Sequence, residues 1–365
     1  MATMRIVTAI CALSLFGVTF GDCGLEGSTT VVANPNYQIL DELETCSTIS
    51  GDILIDPTFG YFILNGPLEI TGTVIAHDNS VLKYVSFPNV THLGGFSFAS
   101  PQVTGRINFP VVTKIDNLEW RDITWRYDDY FEWHAENLVA VSNLNVEATD
   151  LSGFSPDYES YDGSFYYDGL QQLEIVENIR VVNNRRMDNV VFSGLKTVNG
   201  SLIVGNNVNS YRPASERDTE SRHISFPILE SVGSVIIYDD APSGIPPKGM
   251  VDLPVLSHVF GDFNVTNTEG ITEISVPILT DIDGGLLIQG NKGLNNIDFP
   301  ELRRIDHVVL DVGFNLHGSF QKANFPLLEE VRSFHISAYN FNCSSLVHIF
   351  KIAREFSCQS LNGAY

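Results

Sequence analysis

A short phrase recurs along the chain: an apolar residue, then Pro, any residue and an aliphatic residue. From Pro254 it returns after 23, 23 and 26 residues, and Pro110 follows Pro88 by 22 residues. A period of roughly 20 to 30 residues is the signature of a solenoid, in which each repeat forms one coil. The seven copies are Phe87–Val90, Phe109–Val112, Phe226–Leu229, Leu253–Leu256, Val276–Leu279, Phe299–Leu302 and Phe325–Leu328.

Each repeat orders its residue types in the same way. Pro has no N–H, so it belongs at a coil corner before strand pairing begins. A β-rich run such as Leu286–Ile288 follows and stops at Gly290 and Asn291, residue types that tolerate a left-handed corner. Stacked coils of this kind predict an all-β fold, a right-handed parallel β-solenoid with short capping elements. The aliphatic residues after Pro should form one interior column, which includes Leu256, Leu279, Leu302 and Leu328.

The rhythm weakens between Pro110 and Pro227. Residues 138–146, 173–184 and 195–207 have the strand-turn pattern of coils without the Pro. Three segments that break the rhythm are predicted to project from the solenoid: 120–133, 155–168 and 209–223. The apolar spacing over 344–356 predicts a helix that caps the last coil, since an open parallel edge invites aggregation.

The amino terminus indicates export. Arg5 precedes the apolar stretch 6–20, and small residues follow up to Gly21, which predicts a signal peptide over residues 1–21. No later stretch is long and apolar enough to cross a bilayer. The expected location is therefore extracellular, either secreted, in a cell wall or at the outer cell surface.

In an exported chain, Cys residues are expected to form disulfides and Asn residues in sequons can be glycosylated. Four Cys remain after cleavage, and four Cys allow three pairings. Local pairing is expected, Cys23 with Cys46 and Cys343 with Cys358, because the ends of a long solenoid lie far apart. A zinc site is the alternative, although C-x₂-C spacing is absent. Four N-glycosylation sequons are predicted surface sites: Asn89, Asn199, Asn264 and Asn342.

The charge of the chain excludes one class of partner. The formal net charge is −23, and such a surface repels phosphate, so DNA and RNA are not expected as ligands. Nine His are scattered without the spacing of a metal site, so neither a metal nor a cofactor is predicted.

Aromatic residues crowd into two of the segments that break the repeat. Aromatic rings beside carboxylates can stack on sugars, and exposed aromatics also anchor protein interfaces. The alternative is that the rings pack as a lid on the solenoid. The candidate ligand contacts are Trp120, Trp125, Tyr130, Trp133, Tyr158, Tyr161 and Tyr166.

The adjacent carboxylates of the chain do not indicate a glycoside hydrolase. Glycoside hydrolysis needs two facing carboxylates, whereas neighbours in a strand point to opposite faces. The adjacent acidic pairs therefore do not predict a catalytic dyad, and no catalytic residue is predicted. These pairs are Asp128–Asp129, Asp239–Asp240 and Glu329–Glu330.

Several phrases resemble the fungal extracellular-mutant and sporulation-specific family of cell-wall proteins, whose repeats are related to receptor L domains. The resemblance covers most of the mature chain and is weakest over about 121–168. The residues that carry it are Pro277–Asn291, Phe299–Leu302, Phe325–Leu328, the closing Asn342–Cys343 and Ser357–Cys358, and the opening Cys46–Asp52.

The resemblance implies a fold, a division and a function. It implies L-domain-like, leucine-rich-repeat-like coils, in one continuous solenoid or in two abutting halves, with the halves expected over residues 22–150 and 151–358 and a short tail at 359–365. It implies a glycoprotein that acts non-enzymatically in cell-wall organisation and integrity, as a scaffold that contacts wall polysaccharide or mannoprotein. Membrane attachment is expected only if a longer form carries a glycolipid anchor. Two alternatives stay open: a secreted polysaccharide-active β-helix enzyme and a receptor-like module for a protein ligand.

Overall fold

The computed structural model shows the predicted parallel β-solenoid, with about 11 turns in all. Strands make up 58% of the described residues and helices 7%, so the fold is all-β. The residues that the structure describes are 21–31, 38–99, 105–123, 131–149, 153–154, 165–168, 170–184, 187, 189–207, 223–239, 249–268, 270–291, 293–294, 296–312, 322–339 and 341–361. The predicted signal peptide, apart from Gly21, lies outside them.

Two compact units make up the chain. The first comprises Met1–Asn145 with Glu159–Leu170, and the second comprises Val146–Tyr158 with Gln171–Tyr365. In the first unit a long parallel sheet contains β1 (Gly21–Val31), β2 (Cys46–Ile55), β4 (Glu69–His77), β6 (His92–Ala99), β8 (Lys114–Arg121) and β10 (Ala140–Glu147), whose last two residues belong to the second unit. A short parallel sheet contains β3 (Tyr61–Ile63), β5 (Tyr84–Ser86), β7 (Gly105–Asn108), β9 (Phe131–His134) and β12 (Phe165–Asp168). Helix α1 (Gln38–Glu44) lies between β1 and β2 in the chain.

The second unit repeats this plan. Its long sheet contains β13 (Ile175–Val182), β15 (Thr197–Gly205), β17 (Ser231–Tyr238), β19 (His258–Val259), β20 (Phe263–Thr266), β22 (Asp281–Gln289), β24 (Arg304–Val312), β26 (Glu330–Tyr339) and β27 (Glu355–Leu361). A second sheet contains β11 (Gly153–Phe154), β14 (Asn189–Val191), β16 (His223–Ser225), β18 (Gly249–Asp252) and β21 (Ile271–Ser275). The last pair is β23 (Asn296–Asp298) with β25 (Lys322–Asn324). Besides α1, the described helices are a 3₁₀ helix at Leu170–Gln172, where the two units meet in sequence, a 3₁₀ helix at Cys343–Leu346, and α2 (Val347–Ile352).

The Pro phrase forms the predicted corner. In four successive coils the N–H of the aliphatic residue donates to the carbonyl oxygen three residues earlier, with Pro at the second position of the resulting β-turn. Pro suits that position because its ring already holds the φ that the turn needs. The donor–acceptor pairs are Leu256 to Leu253 (3.2 Å), Leu279 to Val276 (3.3 Å), Leu302 to Phe299 (3.4 Å) and Leu328 to Phe325 (3.4 Å).

The residues around Pro form interior columns. Leu256, Leu279 and Leu302 are fully buried, and Leu328 is 5% exposed, which confirms the predicted column of aliphatic residues. The residue before Pro is buried in the same way. Where that residue is Phe in adjacent coils the rings are in contact, and the Phe299 and Phe325 rings stack with centroids 5.5 Å apart. Apolar side chains thus meet once per turn in the core of each unit.

In several coils the long strand ends in a left-handed corner, as predicted from Gly and Asn. Asn206 has φ 50° and Gly290 has φ 70°. The same position is filled by Asp78 and by Ala148, so the corner is not confined to Gly and Asn. At Ala148 the cost of left-handed backbone, which Ala rarely adopts, is offset by the hydrogen bond from its N–H to the Val182 carbonyl oxygen (3.2 Å).

The predicted helix over 344–356 is shorter than expected. Helical structure runs from Cys343 to Ile352, and Ala353 is already extended. Glu355 and Phe356 pair instead with Ser333 and Phe334 of the preceding coil. The apolar spacing could not reveal this, because the pairing of β27 with β26 is a contact between coils, which spacing within one segment does not show.

Candidate functional site

Two of the predicted ligand contacts lie in the core of the first unit. Trp120 in β8 and Trp133 in β9 are both fully buried, and their rings meet edge to face with centroids 5.0 Å apart. Neither side chain reaches the surface, so the prediction of ligand contact is wrong for these two residues and the packing alternative describes them. Neither residue projects from the solenoid. Trp125, Tyr130, Tyr158 and Tyr161 lie outside the described residues.

Tyr166 belongs to the short parallel sheet of the first unit. Its backbone lies in β12, in register with Glu132 of β9. The same row continues through Arg106 of β7, Tyr84 of β5 and Tyr61 of β3. Between the outward residues the strands turn Phe62, Val85, Ile107 and Trp133 into the core. We call the outward side of this short sheet the tyrosine face, with Tyr61, Tyr84, Arg106 and Glu132 in one row and Ile63, Ser86, Asn108 and His134 in the next.

The tyrosine face offers both rings and hydrogen-bonding groups. Tyr61 is 64% exposed, and Tyr84 is half-buried in the adjacent strand. The Asn108 amide donates to the Tyr84 hydroxyl and to the Ser86 hydroxyl, each at 3.3 Å. Parallel strands lie about 4.8 Å apart, and Tyr61 and Tyr84 are in register on adjacent strands, so their side chains begin at that spacing. Such a surface suits an extended ligand with apolar faces and many hydroxyl groups.

An ion pair links the two residues of this row that follow the tyrosines, on strands β7 and β9. The Arg106 guanidinium donates to the Glu132 carboxylate, and His134 lies 3.3 Å from the same oxygen. Burial acts to raise the pKa of Glu132, but the hydrogen bonds from Arg106 and His134 outweigh it, so the pKa lies below its usual value. Glu132 is therefore held ionised, which suits an acceptor of ligand hydroxyls and not a proton donor.

This ion pair makes the stability of the first unit depend on acid. A carboxyl whose pKa is lowered by folding contributes stability above its unfolded pKa, about 4.3, and loses it as the pH falls toward the folded value. We expect the melting temperature to fall between pH 5 and pH 3 by less in Glu132→Gln than in the wild type. Thermal melts of both proteins at the two pH values measure this difference. Equal acid losses in the two proteins would contradict the assignment.

The long sheets carry other charged clusters on their outer sides. In the first unit His92 lies between Glu69 (2.9 Å) and Asp116 (3.0 Å), which also binds Lys114 at 2.7 Å. In the second unit Arg304 pairs with Asp281. Burial opposes ionisation of Asp116 and Asp281, yet their hydrogen-bonded partners lower the pKa of both. These cross-strand pairs link adjacent coils and are the sheet's ordinary stabilising contacts.

Of the adjacent acidic pairs, only Glu329–Glu330 lies wholly within the described residues, and each of its carboxyl groups faces a different Arg. Glu329 binds Arg303 at 3.2 Å, while Glu330 is in register with Arg304. Asp239 is buried, and Asp128, Asp129 and Asp240 lie outside the described residues. Over the part of the chain that the structure describes, no group of three His, Cys, Asp or Glu residues is arranged to hold a metal ion.

A buried column of polar side chains lies just after the left-handed corners, and the sequence analysis missed it. The Asn184 side-chain oxygen accepts from the Thr149 N–H (2.9 Å) and hydroxyl (2.7 Å). Its amide donates to the Asn207 oxygen (2.9 Å) and to the Val146 carbonyl oxygen (3.1 Å). Asn291 binds Thr268 in the same way. We call this column the asparagine ladder. Its role is structural, because it satisfies backbone groups that the corner removes from strand pairing.

The predicted disulfides are both present. Cys23 and Cys46 join β1 to β2 with Cα atoms 5.7 Å apart, and Cys343 and Cys358 join the last helical segment to β27 with Cα atoms 6.0 Å apart. The structure thus selects local pairing among the three possibilities. Disulfides of this kind persist in oxidising compartments.

The four sequon Asn residues occupy different kinds of position. Asn89 and Asn342 are exposed, in a Pro turn and at the cap of the 3₁₀ helix. Asn199 is exposed and donates to Glu177 (3.2 Å). Asn264 is half-buried in the middle of β20.

Comparison with known proteins identifies no relative of this chain. No protein-family model, no curated protein and no solved structure matches the chain. Among the described helices, none is long and apolar enough to span a bilayer.

Proposed function

We propose that the protein is an extracellular, non-enzymatic glycoprotein of the fungal cell wall that contacts wall polysaccharide through the tyrosine face. The fungal wall comes from the sequence resemblance, and export is supported by the predicted signal peptide and the two disulfides. The observation that carries the choice of ligand is the in-register row of Tyr61 and Tyr84 beside Arg106 and Glu132. Two aromatic rings flanked by amide, hydroxyl and charged groups suit a sugar chain.

The charges support binding over hydrolysis. A glycosidase needs a carboxylic acid with a raised pKa, so that it can protonate the leaving oxygen. The four described carboxyl groups with a displaced pKa are Asp56, Asp116, Glu132 and Asp281, and each is shifted downward. A surface whose carboxylates are held ionised by neighbouring donors favours a scaffold.

Truncating both tyrosines tests the proposal. We expect Tyr61→Ala with Tyr84→Ala to weaken retention on insoluble β-glucan or mannan by about tenfold or more, since exposed aromatic anchors each contribute 1–2 kcal/mol or more to binding. The measurement is a depletion isotherm, in which unbound protein is assayed over a series of polysaccharide amounts.

Phe260→Ala is the matched control. Phe260 lies in the second unit and is 59% exposed, close to the 64% of Tyr61, so its truncation removes an equally accessible ring from another surface. Retention equal to the wild type is expected for this control. If the double variant binds polysaccharide as well as the wild type while keeping its melting temperature, the tyrosine face is not the binding surface. A wall protein recovered with the wild type and lost with the double variant would instead favour the receptor-like module.

A further inference from the structure

A row of aliphatic side chains runs across the outer side of the second unit's long sheet. Ile203, Ile236, Leu287 and Val309 are all half-buried, and each points away from the core because its neighbours in the strand are buried. The strands are in register, so the side chains follow one another across adjacent coils. We call this set the aliphatic row.

Asn264 lies at the centre of the aliphatic row. It pairs with Ile236 on one side and with Leu287 on the other. At about 4.8 Å per strand, the row from Ile203 to Val309 extends roughly 19 Å, with two aliphatic residues on each side of Asn264. The row ends at polar residues, Arg180 before Ile203 and His335 after Val309.

The residues around Asn264 form a complete sequon on the same side of the sheet. Val265 is fully buried, so Asn264 and Thr266 both point outward from β20. Asn89, Asn199 and Asn342 lie in other surroundings, in a turn, beside Glu177 and at a helix cap. Asn264 is the one sequon of the four within the aliphatic row.

We propose that an N-linked glycan on Asn264 covers the aliphatic row and keeps this side of the sheet from associating with other chains. Outward aliphatic side chains on adjacent parallel strands form an apolar patch, and such patches promote association. A glycan is bulky and solubilising, and from Asn264 it can extend over Ile236 and Leu287 on either side. The proposal requires entry into the secretory pathway, as the proposed function does, but it does not involve the tyrosine face.

Variants of Thr266 test this without altering the row. Thr266→Ser keeps the sequon, whereas Thr266→Ala and Asn264→Gln remove it. In protein secreted from a eukaryotic host, we expect glycopeptide mass spectrometry to find Asn264 occupied in the wild type and in Thr266→Ser. The two sequon-deficient variants should sediment as concentration-dependent oligomers and bind several-fold more of a hydrophobic dye, while Asn199→Gln behaves as the wild type.

Two further measurements distinguish the loss of the glycan from misfolding of the variants. Enzymatic removal of glycans from the folded wild type should produce the same dye binding. Adding Ile236→Thr and Leu287→Thr to Asn264→Gln should restore the monomer, because the two aliphatic side chains next to Asn264 are then polar and the row is interrupted. The proposal is overturned if Asn264 is unmodified while Asn89 or Asn199 is occupied, or if the glycan-free protein stays monomeric. Both outcomes leave polysaccharide retention by the tyrosine face intact, whereas failure of export removes the proposed function as well.

Discussion

Replacing Asn184 with Ala is expected to lower the free energy of unfolding by roughly 3–5 kcal/mol, because the change strands several buried polar groups at once. The groups left without the Asn184 side chain are the Thr149 N–H and hydroxyl and the Val146 carbonyl oxygen, whereas the Asn207 side-chain oxygen still accepts from the Asn184 backbone N–H at 3.1 Å. Each is within a fully or nearly fully buried part of the corner, where water cannot replace the missing contact. The size of the effect comes from these orphaned groups and not from the small loss of side-chain volume.

Urea denaturation measures this loss of stability. Hydrogen exchange at the backbone amides of residues 149 and 184 reports it for the second unit in particular. Asn199→Ala is the matched control in the same unit, since Asn199 is exposed and its amide donates to Glu177 at 3.2 Å. It should cost about 0.5 kcal/mol or less, as surface substitutions do. If both variants lose similar stability, the asparagine ladder is not the main support of the corner. Asn184→Asp should also destabilise strongly, because a carboxylate cannot donate to Val146 and Asn207.

The parts of the fold that repeat locally could be predicted from the sequence. The Pro turn depends on four consecutive residues, so its chemistry is visible in each copy, and the register follows once copies stack. The asparagine ladder leaves a signal too, because Asn183–Asn184 and Asn206–Asn207 end their strands at equivalent positions. From the sequence alone this signal predicts only a turn, because the sequence shows that Asn tolerates the corner but not where its side chain points.

The tyrosine face could have been found from the period alone. Tyr61 and Tyr84 are 23 residues apart, one repeat, which places them at the same position of successive coils. Attention to crowding along the chain pointed instead to Trp120 and Trp133. Crowding in sequence says little about exposure in a strand, where alternate residues face the core and the solvent.

Some features needed coordinates. A Cβ on Gly72 would lie 2.0 Å from the Gly51 carbonyl oxygen, so the strand irregularity between Ile70 and Thr73 permits only Gly there. The sequence shows the Gly but not the neighbouring coil's carbonyl. Nor could the period alone show that the last coil closes with β27, because strand pairing at Glu355 competes with a helix of favourable spacing.

The core assignment of Trp133 predicts a large effect that a surface residue would not have. Trp133→Ala should lower the free energy of unfolding by about 3–5 kcal/mol, since truncation of a buried aromatic residue leaves a cavity. The ring contacts Trp120, Phe109 and Phe96, with centroids 5.0, 5.2 and 6.1 Å away. These neighbours belong to successive strands and turns of the first unit, so they cannot collapse into the space without moving several coils.

Trp133→Phe separates packing from ligand contact. Trp133 Nε1 is buried and makes no hydrogen bond within the described residues, so the smaller ring also removes an unsatisfied donor. We expect this variant to lose about 1.5 kcal/mol or less, and to bind polysaccharide like the wild type. Urea denaturation and the depletion isotherm measure the two quantities on the same preparations. Wild-type stability combined with weakened retention in Trp133→Phe would contradict the core role, because a fully buried ring can influence a ligand only through the stability of the sheet above it.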